Sequence, residues 1–222
     1  APDIHGHMPA LDGVRGLAVL LVICHHFVIV SPVGQLEEIL ALAADLGKHG
    51  VDIFFALSGF LITGILLDSR GKPNYFRNFY VRRTLRIFPL YYVIVAFFLV
   101  LVPISMAGNV ELRPEVQRWN SEARYWPWYV AYLSNILFIK HNGFAPPGLD
   151  ITWTLAIEEQ FYVMWSVAVF LLKPRQIVNF CLFLIAGALL FRIALCASGA
   201  SWVQVYGNTL SRLDGLAVGL DD

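Results

Sequence analysis

The sequence is short of charge. Of 222 residues only 14% are Asp, Glu, Lys or Arg while 58% are hydrophobic, and the mean hydropathy is +0.64. Soluble domains carry about 25% charged residues, so the charges here are too few and too clustered to cover a water-soluble surface. The chain needs lipid around it. Cysteine is scarce as well: Cys24, Cys181 and Cys196 all lie in apolar runs. Their spacing fits neither a zinc site nor a disulfide framework, which leaves ordinary lipid-phase packing. Neither sign of charge is in excess, with 16 basic and 16 acidic residues and a pI of about 7.2, so nothing in bulk points to nucleic acid. Internal repeats, low-complexity tracts and the short alternating segments of a membrane β-barrel are also missing. No cleavable signal peptide is read before the first apolar run. Asp12 and Arg15 stand at its mouth and no small-residue cleavage site closes it, so the run is taken as a membrane anchor.

What is present is a succession of long apolar runs. A helix crossing roughly 30 Å of hydrocarbon needs about 20 mostly apolar residues. Residues 17–33 supply the first candidate, interrupted by His25 and His26, and 51–67 the second. Residues 87–107 are the cleanest, with Pro89 near the start, where a helix tolerates it. Residues 160–172, extended back through 153–157, give another; 178–197 follow with one arginine, Arg192; a last begins near 210. Residues 128–139 are apolar and aromatic but short, which predicts a re-entrant or interfacial segment. The expected fold is all-α, a polytopic transmembrane helical bundle.

Orientation follows from the basic residues. Between Asp68 and Leu90 lie Arg70, Lys72, Arg77, Arg82, Arg83 and Arg86 with no acid among them, which makes that loop cytoplasmic by the positive-inside rule. The first and third helices then run outward. Residues 109–125 mix Glu111, Glu115 and Glu122 with Arg113, Arg118 and Arg124, as suits an external loop. Lys173 and Arg175 fall on the cytoplasmic side provided 128–139 does not cross fully.

Several polar groups within these runs invite a chemical reading. In LDGVRGLAVLLVICHHF, Arg15 and His26 are 11 residues apart, which leaves them about 20° apart around a helix and roughly 16 Å apart along it. His25 is rotated about 80° from that line. An imidazole at membrane depth with an arginine below it on one stripe suits a long anionic donor; on spacing alone, an anchor plus a histidine bonded to a neighbouring helix is favoured. In RNFYVRRTLRIFPLYY, Arg83 and Arg86 share a helix side at a spacing of three, and guanidinium pairs suit phosphate, with Arg82 and Arg77 widening the patch. Taken alone, such a cluster is better explained by headgroup anchoring. In DITWTLAIEEQFYVMW, Glu158 and Glu159 lead into an apolar stretch flanked by Trp153 and Tyr162. An ionisable residue inside a membrane usually has a partner and a purpose, although both glutamates fit a watery interface too. They lie about 100° apart on a helix, so only one is expected to face a given cleft. Arg192, Arg212 and Asp214 are weaker signals, the last two expected to pair with each other or with a ligand. Ser58-Gly59, in GVDIFFALSGFLITG, is a small-residue spot whose favoured reading is close helix packing.

Taken in order, the blocks LDGVRGLAVLLVICHHF, GVDIFFALSGFLIT, FYVRRTLRIFPLYY, TWTLAIEEQFYVMW and SRLDGLAVG, spanning residues 11 to 219, resemble the acyltransferase family 3 membrane proteins. The best-known members of that family O-acetylate bacterial surface polysaccharides. The resemblance places the family's arginine–ten residues–histidine pattern on Arg15 and His26, its Arg-x-x-Arg on Arg83 and Arg86, its glutamate on Glu158 and its later Arg-x-Asp on Arg212 and Asp214. Family domains are longer, with about ten spans, so residues 1–222 are expected to be the N-terminal part of one multi-span domain.

The resemblance implies transfer of an acyl group, usually acetyl, from cytoplasmic acyl-CoA to a hydroxyl of a saccharide or lipid-linked acceptor in the bacterial inner membrane. Acyl-CoA is a donor substrate here, and no permanently bound cofactor is expected. Arg83, Arg86, Arg82 and Arg15 would take the CoA phosphates. His26 would act as general base or as acyl carrier, and Glu158 would orient its imidazole. Two other classes fit part of the pattern: a transporter or channel lined by the same charges, and a non-catalytic membrane scaffold. The joint presence of an imidazole and a phosphate clamp favours the enzyme.

Overall fold

The structure, a computed structural model, describes residues 13–14, 16–18, 20–22, 47–106 and 113–218. Arg15, His25 and His26 lie outside the described residues, and with them the stripe expected on the first apolar run. Every regular element described is helical. In chain order they are a 3-10 turn (Gly47–His49), α1 (Gly50–Ser69), α2 (Tyr75–Ala96), a π-helical stretch (Phe97–Leu101), α3 (Val102–Met106), α4 (Arg113–Ala123), α5 (Trp126–Val130), α6 (Ser134–His141), α7 (Thr152–Leu171), α8 (Pro174–Ala197), α9 (Trp202–Tyr206) and α10 (Thr209–Val218). Four of the helical stretches, α1, α2 through α3, α7 and α8, are long and apolar enough to cross a membrane. The chain is an integral membrane protein of the all-α class.

α1 is 20 residues long, about 30 Å at 1.5 Å per residue, with no charge between Asp52 and Asp68. Its buried residues, Val51, Phe55, Ser58, Ile62 and Leu66 among them, recur every three or four positions and form one packed stripe. Gly59 lies on that stripe. A Cβ there would sit 1.9 Å from the Leu216 carbonyl oxygen, so only glycine lets α10 rest on α1. The helix-packing reading of Ser58-Gly59 holds.

The basic stretch expected as a loop is helix. α2, the π stretch and α3 run without a break over 32 residues, about 48 Å, so the arginines ride on the first turns of a helix whose later turns are the apolar span. The true connection from α1 is the short turn around Gly71 and Asn74. The π stretch turns Phe98 onto the backbone of Gly148, whose φ of +98° and lack of a Cβ both fit the contact. Residues 128–139 resolve into α5 and α6, of 5 and 8 residues. Each is far too short to cross, as the re-entrant reading expects.

α7 is the hub. Asp150 Oδ1 accepts the Gly148 and Ile151 N–H groups at 2.8 and 3.0 Å, shaping the turn that starts it. Phe55 meets Trp153 edge-on, and Trp165 Nε1 donates to Thr63 Oγ1 at 2.8 Å, so α1 and α7 run in the same direction. Tyr80 and Ser166 share a 2.7 Å hydroxyl hydrogen bond, and Arg70 donates to the Phe170 carbonyl, so α2 begins where α7 ends. Arg70, Lys72, Arg77, Lys173 and Arg175 gather at that end, and Asp52, Arg192, Arg212 and Asp214 at the other. A closed polar network, Gln160 to Asn135 at 3.0 Å, Asn135 to Thr209 at 2.9 Å and Thr209 to Gln160 at 2.5 Å, ties α6, α7 and α10 together. Below α4, the Tyr129 hydroxyl donates to Glu122 Oε1, and burial pushes that phenol well above its usual range.

Candidate active site

Glu158 and Glu159 fall in the second turn of α7, inside the bundle. Arg83 reaches them from α2. Its Nε donates to Glu159 Oε1 at 3.0 Å, its Nη2 lies 3.6 Å from Glu158 Oε2, and its guanidinium carbon stands 3.4 Å from the centre of the Tyr162 ring. Side-chain exposure is 14% for Arg83, 3% for Glu158 and 14% for Glu159, so the cluster is cut off from bulk water. Ser58, buried on α1, faces the Tyr162 hydroxyl across the same spot.

Two expectations are corrected here. Both glutamates face one partner, because a planar guanidinium presents N–H groups along two edges and bridges the angle between them. Arg83 and Arg86 do not form one clamp: Arg83 is turned in and engaged, whereas Arg82 and Arg86 are exposed on the outer flank of α2. Three residues along a helix leave about 60° between side chains, enough to put one in the bundle and the next outside it. The watery-interface reading of the glutamates also gives way, since Glu158 is buried.

A second charged group occupies the other end. Arg212 donates to Asp52 Oδ1 at 2.7 Å, and its Nε donates to the Tyr206 carbonyl at 3.1 Å, while its guanidinium lies 3.9 Å from the Tyr206 ring centre. Asp214 is taken by Arg192, 2.6 Å from its Nη2. Of the two readings of Arg212 and Asp214, a mutual pair or contacts with a ligand, the mutual pair is thereby ruled out. Residues two apart on a helix point about 200° apart, so one reaches α1 and the other α8. Trp153 packs against Phe55, Phe144 and Tyr206, and Tyr206, with Asp52, Arg192, Trp202, Ser211 and Arg212, lines a cavity of about 290 Å³.

Sequence reasoning singled out Glu158, Arg83, Tyr162, Trp153, Arg212 and Asp214, and missed how Asp52, Glu159 and Tyr206 join them. Asp52 and Glu159 carried a local signal, an acid at the edge of an apolar run. Their partners, 160 and 76 residues away in the chain, carried none.

Fold and clusters together define a polytopic helical membrane protein with a guanidinium–carboxylate group held inside the bundle. The chain belongs to acyltransferase family 3: residues 8–217 match the family described as an acyltransferase domain. It is 36% identical over 183 residues to YrhL of Bacillus subtilis, covering 77% of this chain and 26% of that protein. It is 36% identical over 167 residues to the peptidoglycan O-acetyltransferase OatA of Listeria monocytogenes, covering 72% and 24%. With the O-acetyltransferase OatA of Staphylococcus aureus the figures are 32% over 226 residues, 96% and 34%. The chain thus spans a quarter to a third of the length of these relatives. No solved structure matches it.

Proposed function

We propose that this chain is the membrane-embedded acyl-handling part of an O-acetyltransferase, which moves an acetyl group from acyl-CoA to a saccharide hydroxyl of the cell envelope, peptidoglycan being the favoured acceptor. Family membership and the names of the relatives support the class of reaction. The observation that carries it in this chain is the Arg83–Glu158–Glu159 cluster, kept inside an apolar bundle where each ionised group costs about 2.5–3.5 kcal/mol to insert. Packing alone would be served better by apolar side chains.

The end bearing Arg70, Lys72, Arg77, Lys173 and Arg175 faces the cytoplasm by the positive-inside rule, which fits a bacterial inner-membrane protein. CoA phosphates approach from that end, where the exposed Arg82 and Arg86, with Arg15, supply the cations. Arg83 is a positioning residue that fixes the two glutamates. In this reading Glu158 would orient the His26 imidazole. On the general-base route, His26 takes the acceptor proton as the hydroxyl oxygen attacks the thioester carbonyl; the C–S bond breaks and the leaving thiolate recovers the proton. On the acyl-carrier route, the imidazole nitrogen attacks the thioester carbonyl, the C–S bond breaks and CoA leaves as its thiol with the imidazole proton; the acceptor hydroxyl then attacks the acyl-imidazole, the C–N bond breaks and the imidazole takes the hydroxyl proton.

The deciding experiment uses the full-length protein in proteoliposomes, with radiolabelled acetyl-CoA on one side and glycan on the other. Ester-linked label on the glycan is expected. Solute flux without any acyl transfer would instead make the bundle a transporter.

A further inference from the structure

We propose that the cavity at the end of the bundle opposite the arginine-rich end is a subsite for one uncharged sugar ring of the acceptor. Its role as an acceptor site rests on the acetyltransferase reading, but the binding itself is measurable without turnover.

Size comes first. At about 290 Å³ the cavity lies at the small end of ligand pockets, about 300–1,000 Å³. It is large enough for a single ring and too small to enclose a whole nucleotide-bearing molecule such as CoA. Charge comes second. The wall carries Asp52, Arg192 and Arg212, with Asp214 behind Arg192, and each arginine is already matched to one carboxylate. Paired charges attract a free anion weakly, yet the carboxylates keep lone pairs and the guanidinium groups keep N–H donors for neutral hydroxyls. This is the reverse of the exposed, unmatched arginines on α2.

The aromatic groups give the third reason. Trp202 stacks on Tyr206 with ring centres 4.5 Å apart and planes 19° apart, while Trp202 itself is exposed at the rim. An exposed flat aromatic face beside hydrogen-bonding groups matches a pyranose, which has an apolar C–H face and a polar edge. Fourth, Ser211 lines the cavity, is completely buried, and its hydroxyl has no hydrogen-bond partner among the described residues. A buried polar group without a partner is costly, and a ligand hydroxyl would supply one. Finally, Trp153, which packs on Tyr206, is five residues before Glu158 on α7, about 7.5 Å along the axis. The cavity and the buried cluster are thus served by the same first turns of α7.

The probe is a soluble β-linked N-acetylglucosamine tetramer, titrated against the full-length protein in nanodiscs and followed by tryptophan fluorescence and saturation-transfer NMR. Trp202→Ala, an exposed position whose loss leaves the core intact, is expected to weaken binding about tenfold. Ser211→Ala should weaken it less, and both should raise the acceptor KM without raising the donor KM. Tetramer binding that is indifferent to Trp202→Ala overturns the subsite even if acetyl transfer is normal. A rise in donor KM alone would overturn it too, by assigning the cavity to CoA. Conversely, Trp202-dependent binding in a protein that transfers no acetyl group keeps the sugar site and removes the enzyme reading.

Discussion

At mid-bundle Arg83 serves Glu158 and Glu159 at once, with no side chain of the three more than 14% exposed. At the α10 end Arg212 and Arg192 each hold a single carboxylate, and Asp52 remains 46% exposed. Both clusters cross-link helices distant in sequence, and both involve α7, α1 or α10. They differ in how far water can share the charge. Removing charged groups from water costs more than an isolated pair returns unless geometry and extra hydrogen bonds compensate. The cluster at mid-bundle meets that condition with a cation–π contact and two carboxylates on one fork. The cluster at the rim can rely on solvent. The first therefore reads as machinery held in a fixed position, and the second as a hydrogen-bonding wall.

The largest effect tests whether the buried cluster is chemical. His26→Ala in the full-length protein is expected to lower acetyl transfer about 10²- to 10⁴-fold, the range of a general acid–base group, with expression and donor binding retained. His25→Ala is expected to cost little. Loss of turnover only in His25→Ala would leave Glu158 and Arg83 as a structural knot, no different in kind from the pairs at the rim.

Next is Arg83→Ala, which leaves two carboxylates inside the bundle without this cation. Breaking a buried pair in this way costs about 3–5 kcal/mol, read as a large drop in thermal midpoint in detergent. Arg83→Lys should recover only part, since a point charge cannot bridge both glutamates. Arg86→Ala, on the exposed flank, should leave the midpoint in place and raise the donor KM instead. Equal destabilisation by the two alanine variants would contradict the division of α2 into an inner and an outer arginine.

Helix packing supplies a smaller effect. Gly59→Val would force α1 and α10 apart at Leu216 and is expected to cost about 1–3 kcal/mol. Gly64→Ala on the same helix, where an added Cβ meets open space, should be neutral. Because α10 carries Arg212, Gly59→Val should also loosen the rim while sparing the Arg83 cluster.

Much of this was legible in the sequence, for a physical reason. Membrane spans announce themselves by length and composition, so α1, α7, α8 and the later turns of α2 were readable one by one. The shortness of residues 128–139 likewise pointed to a re-entrant or interfacial segment, while whether it crosses is a matter for the structure. The basic stretch was misread as a loop because arginines lower hydropathy without lowering helix propensity, so a window on apolarity stops at Ile87 while the helix begins at Tyr75. Tertiary pairing was illegible. Helical spacing correctly says that Glu158 and Glu159 diverge; it says nothing of an arginine arriving from another helix to bridge them, nor that Arg83 would turn inward while Arg86 stays on the outer flank. The Arg212–Asp214 pairing failed the same way, since adjacency in a motif is not adjacency in space.

The smallest effect sharpens the comparison most directly. A double-mutant cycle on Asp52 and Arg212 is expected to give a coupling of no more than about 1 kcal/mol, because Asp52 is 46% exposed and solvent screens the pair. Arg212→Ala alone should cost more than Asp52→Ala, since it also removes the Tyr206 carbonyl bond and the ring contact. The parallel cycle on Arg83 and Glu159 should give a larger coupling, because neither partner is more than 14% exposed. Salt then separates them. Raising ionic strength to about 1 M shortens the Debye length to about 3 Å, which should erase most of the Asp52–Arg212 coupling and little of the Arg83–Glu159 coupling. Should both couplings match in size and in salt response, exposure would not be what distinguishes the clusters, and assigning chemistry to one and recognition to the other would lose its electrostatic basis.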